Sequence, residues 1–366
     1  MTNTSTIIEF ARRNKGVLQN HLADGSLRLP VALEILEKHQ LNALYLLSIE
    51  TPIDLCSFFK SGLLQLESII NNPQYTHYTI KKKRGGNRHI YAPNKKLKAI
   101  QKRLNYFLQA YYLMIKPEEV HGFVVNPHYL GSHCNIVENA KAHTGKKHLL
   151  NIDLKDFFPR ITAKQVLDLF SSPVFGYSDQ VATAITLLCT YEGRLPAGAP
   201  SSPVISNFIC LNLDADLKAF CATHNLEYTR YADDLTFSSN AAIETNTLLD
   251  IISLIQKNNF EINSNKLRIR PANRRQIVTG LTVNEKVNVN RKMLKKIRAM
   301  LHDLSTNGVE TATQKHFKIT GKVKAAHEAK FLQRLEGYIN FVGQVRGKSD
   351  PLYIGYKNQF EQVFEN

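Results

Sequence analysis

The chain has 366 residues, with 47 Lys and Arg against 31 Asp and Glu, a formal net charge of +16. That length accommodates two or three subdomains around sizeable cores, and the positive balance points to a polyanionic partner, of which nucleic acid is the commonest. Five scattered cysteines without a Cys-x-x-Cys pair argue against a disulfide framework or a zinc knuckle. No run approaches the roughly 20 apolar residues of a membrane span, and the start, Met1-Thr2-Asn3-Thr4, lacks a basic-then-apolar leader. A reduced, cytoplasmic protein is expected.

Residues 1–72 read mostly as helix, with an apolar face from Leu33, Ile35, Leu36, Leu41, Leu44 and Leu47. From Tyr78 to Pro93 the character changes, and Gly85-Gly86-Asn87 signals a turn between two basic strands, Thr79 to Arg84 and Arg88 to Tyr91. Such a hairpin neutralises a triphosphate if it folds over a site, or touches nucleic-acid backbone if it stays exposed. Residues 94–116 return to helix through Leu97, Ile100, Leu104, Phe107 and Leu108. Phe123 to Asn139 is irregular and polar, with a joint at Gly131-Ser132. His121, His128, His133, His143 and His148 crowd around Cys134, but no pair has convincing metal-ligand spacing.

His148 to Phe158 reads as a strand ending in acidic residues: Leu149, Leu150 and Ile152 suit burial, and Asp153 falls where the strand meets solvent. Helical patches occupy 162–192, a loop at 195–203 carries Gly198 and three prolines, and another helix covers 203–222. A second hairpin follows, with Asp233-Asp234 between Leu226 to Arg230 and Leu235 to Ser238. Asn290 then caps a helix whose Met293, Leu294, Ile297, Met300, Leu301 and Leu304 form one apolar stripe. Arg291, Lys292, Lys295, Lys296 and Arg298 decorate its flanks. A further helix runs over about 323–345, buried through Phe331, Leu332, Leu335, Ile339 and Val342. Residues 262–348 hold nineteen Lys and Arg against five Asp and Glu, so +14 of the charge lies on segments with helical periodicity. That marks a folded surface for duplex backbone rather than a solvated tail.

Neighbouring carboxylates at a tight turn neither bury themselves nor pair with each other. Unless solvated, they require a divalent cation such as Mg²⁺, whose hard-oxygen preference also bridges phosphates. An exposed polar tip accounts for Asp233-Asp234 alone, and a strand-end cap for Asp153 alone. Together they fit a two-metal site, in which carboxylates from separate strands converge on ions about 3.5–4 Å apart.

Asp153 followed by Phe157-Phe158, then Leu195-Pro196-Ala197-Gly198-Ala199-Pro200-Ser201-Ser202-Pro203, then Tyr231-Ala232-Asp233-Asp234, resembles the palm motifs of reverse transcriptases in order and spacing. Asn139-Ala140-Lys141-Ala142-His143 resembles the Asn-Ala-x-x-His element of bacterial retron reverse transcriptases, and Val278-Thr279-Gly280 their Val-Thr-Gly element. The resemblance covers roughly residues 30–345.

The resemblance implies an α+β fold of right-hand polymerase architecture. A helical extension would span 1–72, fingers 73–147, a palm with an antiparallel sheet 148–284 (with a fingers insertion around 162–200), and a basic helical thumb 285–366. Catalysis would fall to Asp153, Asp233, Asp234 and Lys266, the lysine either protonating pyrophosphate or simply contacting phosphate. Two Mg²⁺ ions would be held by Asp153, Leu154, Asp233 and Asp234. The nucleotide pocket would comprise Lys81, Arg88, Asp156, Phe157, Phe158, Ala197 and Gly198. In it Arg88 takes the triphosphate and Phe158 excludes a 2′-hydroxyl, while Phe157 supports the wall or is plain core. Ala197 stands where most relatives carry Gln, which puts the usual sugar contact in doubt. Asn139, His143, Val278, Thr279 and Gly280, with Arg291, Lys292, Lys295 and Lys296, would recognise RNA.

The implied partners are a cognate structured noncoding RNA and its DNA product, dNTPs, a separate effector protein acting in anti-phage defence, and a host RNase H, with no membrane. Two other readings are a group II intron or abortive-infection polymerase, and an RNA-binding scaffold with a vestigial site.

Overall fold

The computed structural model describes residues 4–24, 31–34, 36–82, 85–125 and 134–365. His128, His133 and the Gly131-Ser132 joint lie outside them. Among the described residues, six helices come first: α1 (Thr4–Arg13), α2 (Lys15–Asp24), α3 (Val31–Glu34), α4 (Lys38–Leu47), α5 (Pro52–Phe59) and α6 (Leu63–Asn71). Thr51 caps α5 through a reciprocal pair of bonds with Asp54, and Pro52 at the first helical position fits the missing donor there. These helices are not an appendage. Leu44, Leu46, Phe58 and Leu66 share one apolar core with residues far along the chain, and the Tyr177 hydroxyl donates to the Leu46 carbonyl at 2.8 Å.

Strands β1 (Tyr75–Lys81) and β2 (Asn87–Pro93) pair antiparallel as the expected hairpin, with Gly85 and Gly86 both at positive φ. The 21-residue helix α7 (Lys95–Ile115) follows, capped by Asn94, and then the short α8 (Ile136–Lys141), capped by Asn135. The central sheet is built from β3 (His148–Asp153), β4 (Glu227–Tyr231), β5 (Asp234–Ser239) and β6 (Arg268–Pro271) in the order β4-β5-β3-β6, with every pairing antiparallel. Between β3 and β4 lie α9 (Phe157–Arg160), α10 (Ala163–Ser171), α11 (Asp179–Cys189), α12 (Ser202–Ile209) and α13 (Leu211–Thr223). The segment read as one helix over 203–222 is thus two, joined at Cys210. Helix α14 (Thr245–Lys257) follows β5 and packs on α13.

Strands β7 (Ile277–Val278) and β8 (Leu281–Thr282) form a minimal hairpin. The chain then continues through α15 (Arg291–Phe317), α16 (Ala325–Arg346) and α17 (Pro351–Glu365). Asn290 accepts from the Met293 amide as the sequence predicts, but α15 kinks at Gly308, whose combination of φ 72° with ψ 171° only glycine adopts readily. A second core joins α15, α16 and α17 to Val278, Leu281, Leu149 and, from α8, Val137 and Ala140. Helix α8 is therefore packed into the C-terminal helical unit while also touching β4 of the sheet.

Candidate active site

A cavity of about 710 Å³ opens between the β1–β2 hairpin, the loop at 195–198 and the edge of the sheet. Arg88, Asp153, Phe158, Gly198, Asp233 and Lys266 all line it, as do Leu154, Asp156, Phe157 and Ala197. Residues separated by up to 184 positions in the chain, from Lys82 to Lys266, thus meet in one cleft. At the end of β1 it is Lys82, not Lys81, that faces the cavity; Lys81 pairs with Asn87 in the hairpin ladder.

The carboxylates are placed by strand register. Asp153, the last residue of β3, stands directly across from Asp234, the first of β5. Tyr231 pairs with Asp234, which leaves Ala232-Asp233 as a two-residue turn. Ala232 sits at φ +60°, a conformation that two-residue hairpins normally give to glycine. Arg230 holds it there: buried and paired at all three nitrogens, its guanidinium makes two bonds to Asp214 at 2.7 and 2.6 Å, one to Asn207 at 2.9 Å and one to the Ala232 carbonyl at 3.3 Å. The Tyr228 hydroxyl adds a bond to Asp214 at 2.8 Å. Gly122 packs so closely under the turn that a Cβ on it would lie 2.3 Å from the Ala232 nitrogen. None of Gly122, Asn207, Asp214 and Arg230 stood out in the sequence. The strand that carries Arg230, Glu-Tyr-Thr-Arg-Tyr, mixes polar and aromatic residues and gives no sign that the cation is buried against a counter-charge.

Lys266 Nζ lies 2.6 Å from Asp153 Oδ1 and supplies the nearest positive charge. Burial of the turn, reinforced by the charge of Asp153, raises the Asp233 carboxyl above its ordinary range, with Lys266 and Arg88 opposing. The same packing, then the charges of Asp233 and Asp153, push Asp234 up to about 6. The Asp234 side chain still reaches solvent, which tempers the first of those causes.

These hard oxygen donors, crowded until their acidity falls, suit a divalent cation. Among the described residues no group of three or more His, Cys, Asp or Glu side chains forms a metal cage by itself. A cation held here would take further oxygen ligands from outside this set of side chains.

The opposite wall is set by a main-chain stitch. The Tyr91 amide of β2 donates to the Ala197 carbonyl at 2.8 Å, and Gly198 adopts φ +115° beneath it. A Cβ on Gly198 would lie 2.7 Å from Ile90 Cγ2. Phe158 is half-buried, its ring 5.7 Å from that of Phe123, while Phe157 is buried and stacks 5.7 Å from Phe260. Asp156 is exposed in the left-handed region at φ 48°, where it starts α9. Arg194 also lines the cleft and was not singled out from the sequence.

The expected RNA contacts divide into two sets. Arg291, Lys292, Lys295 and Lys296 lie exposed on α15, and the Lys296 ammonium sits 4.9 Å over the Tyr338 ring. His143 is fully buried instead, bridging Ser238 Oγ at 2.7 Å and Thr229 Oγ1 at 2.8 Å. Asn139 is 1% exposed and Val278 is buried, so RNA contact by these side chains would need the interior to open. Thr279 and Gly280 form the tip of the β7–β8 hairpin, both at positive φ. That backbone is costly for a β-branched residue, and the Thr279 hydroxyl compensates by donating to the Ile136 carbonyl of α8 at 2.9 Å.

An antiparallel sheet presenting carboxylates to a cleft roofed by a basic hairpin, in a chain that also carries a C-terminal unit of basic helices, is the arrangement of a right-hand nucleic-acid polymerase. Residues 80–332 match the family model for reverse transcriptase (RNA-dependent DNA polymerase). Retron Ec86 reverse transcriptase from Escherichia coli is 33% identical over 297 residues, covering 80% of this chain and 82% of that one. Retron Mx65 reverse transcriptase from Myxococcus xanthus is 33% identical over 247 residues, covering 62% of this chain and 55% of that one. Among solved structures, telomerase from Candida albicans in complex with a fragment of telomeric RNA aligns with a TM-score of 0.47 at 10% identity, over 81% of this chain and 64% of that one. The chain belongs to the retron reverse transcriptases, and its enzymatic class is RNA-directed DNA polymerase.

Proposed function

We propose that the protein copies part of its own cognate structured noncoding RNA, priming from a guanosine 2′-hydroxyl of that RNA, to make a short single-stranded DNA joined to RNA. The observation that carries this reading is the convergence of Arg88, Asp153, Phe158, Asp233 and Lys266 on one cavity in a chain of the retron family. In this reading residues 73–147 are fingers, 148–284 palm and 285–366 thumb. Arg88, joined by Lys82, neutralises the triphosphate. Phe158 closes the space a ribose 2′-hydroxyl would occupy. Lys266 is placed to give a proton to the leaving pyrophosphate, a role worth about 10²–10⁴-fold.

Two Mg²⁺ ions, when bound by Asp153, Asp233, Asp234 and the Leu154 carbonyl, would lower the pKa of the primer hydroxyl and hold the phosphates. Exposed cations on α15 grip duplex backbone, while Asn139, His143 and the Val278–Gly280 turn act on RNA by fixing how α8 and the C-terminal helices are held. The reading also places the enzyme in the cytoplasm within an anti-phage defence system, alongside a separate effector and a host RNase H. No helix among the described residues is long and apolar enough to cross a membrane.

The test is recovery of nucleic acid bound to the protein expressed with its neighbouring locus. A DNase-sensitive band of fixed length is expected, and Asp233→Ala/Asp234→Ala should abolish it. Bound RNA with no DNA, unchanged in that variant, would instead establish a scaffold.

A further inference from the structure

Asn207 lies at the centre of the buried network yet touches neither the cleft nor solvent. Its amide works in two directions. Oδ1 accepts from Arg230 Nη1 at 2.9 Å, and Arg230 in turn holds the carbonyl of Ala232 in the catalytic turn. Nδ2 donates to the Gly122 carbonyl at 3.0 Å and approaches the Phe123 carbonyl at 3.4 Å. A guanidinium only donates and a carbonyl only accepts, so these partners fix the amide orientation. Phe123 is itself held at φ 60°, with its carbonyl also accepting from Gln109 Nε2 at 2.9 Å. Its ring packs against Phe158 at 5.7 Å, tilted by 30°. A single buried side chain therefore fixes the aspartate-bearing turn on one side and, on the other, the main chain of Phe123, whose ring lines the cleft beside Phe158.

We propose that Asn207 is a positioning residue for sugar selection, setting the distance between the catalytic turn and Phe158 through the Gly122–Phe123 main chain. The proposal rests on the reading of Phe158 as the wall that excludes a 2′-hydroxyl. Discrimination between deoxy- and ribonucleotides depends on a gap smaller than one oxygen atom, and a ring whose support can relax tolerates the larger sugar. Asn207→Ala removes the tie to Gly122 and Phe123 and leaves the buried Gly122 carbonyl without that donor, so the ring packed against Phe158 loses one of its main-chain anchors.

The experiment measures kcat/KM for a dNTP and the matching rNTP on a primed RNA template. The proteins are the wild type, Asn207→Ala, Phe158→Ala and the double variant, with thermal midpoints recorded in parallel. Asn207→Ala is expected to lower the deoxy-over-ribo ratio about 5- to 10-fold, the scale of one or two buried hydrogen bonds. In the Phe158→Ala background it should have no further effect on that ratio. Phe123→Leu, which leaves Asn207 and Arg230 in place, should lower the ratio in the same direction and tests the relay from its other end.

A merely structural role would reduce both substrates' kcat/KM together and leave the ratio unmoved. That result, or an Asn207 effect of equal size in the Phe158→Ala background, overturns the proposal. If Phe158→Ala itself leaves the ratio unchanged, the sugar-wall reading falls and takes the proposal with it.

Discussion

Asp234 carries a carboxyl pushed up to about 6 from an ordinary 3.8. Between those pH values the folded chain holds a proton that the unfolded chain has released. Stability therefore falls as pH rises through that window, and the deficit is complete above it. Asp234→Asn removes the repulsion. In the presence of a chelator the variant should melt at a higher temperature than wild type at neutral pH, and the gain should disappear below about pH 4. A midpoint equal to or below wild type at neutral pH would show that the turn is not strained by its own charge. Ala232 presents a separate strain, in the backbone. Ala232→Gly should stabilise the turn by about 1 kcal/mol, read as a shift in denaturant midpoint, because glycine adopts positive φ without a Cβ penalty. The aspartates were legible in the sequence because two adjacent acids at a turn have few other uses. Arg230 was not, because a charged residue in a strand looks the same whether it is exposed or locked to a partner 16 positions away.

Helix α8 and the β4–β5 hairpin meet at His143, whose imidazole burial pushes down to about 3. The ring stays neutral in the fold and titrates near 6.5 once unfolded. Stability is thus lost as pH falls from about 6.5 toward 3, opposite in sign to the effect of Asp234. His143→Ala strands two buried hydroxyls and should cost about 1–3 kcal/mol in denaturant unfolding. Made in the Asp234→Asn background, it should also flatten the acid limb of the stability profile. Both main hairpins could be read ahead of the structure, since Gly85-Gly86-Asn87 and Asp233-Asp234 interrupt strand-like runs. Which lysine faces the cleft could not, because a shift of one residue exchanges Lys81 for Lys82 and register is settled only when the turn closes. The kink at Gly308 was also hidden, as an isolated glycine in a helical pattern is tolerated more often than it bends the helix.

The described residues form two apolar cores, one uniting the N-terminal helices with the inner face of the sheet, the other uniting α15–α17 with α8 and β7–β8. Positive charge is concentrated on the second, which is why composition alone already pointed to nucleic acid. Replacing Lys292 and Lys295 with Gln should weaken duplex binding uniformly across sequences and lower the slope of log affinity against log salt by about 1 per lysine. An unchanged slope would move the phosphate contacts to another face. The N-terminal helices read as an extension in sequence because their apolar stripes name no partner. Only the structure shows that Leu44, Leu46 and Phe58 pack into the core beneath the sheet.

The stitch between Tyr91 and Ala197 has a consequence for how this loop tolerates change. Ala197 contributes to the anchorage through its carbonyl, a group that every amino acid possesses. Gly198, one residue on, contributes by having no side chain at all. In a saturation library scored for folded protein, position 197 should therefore accept most residues while position 198 accepts almost none. A Gln, an Ala or another side chain can stand at 197 and change the lining of the cleft, while the scaffold that presents it stays fixed.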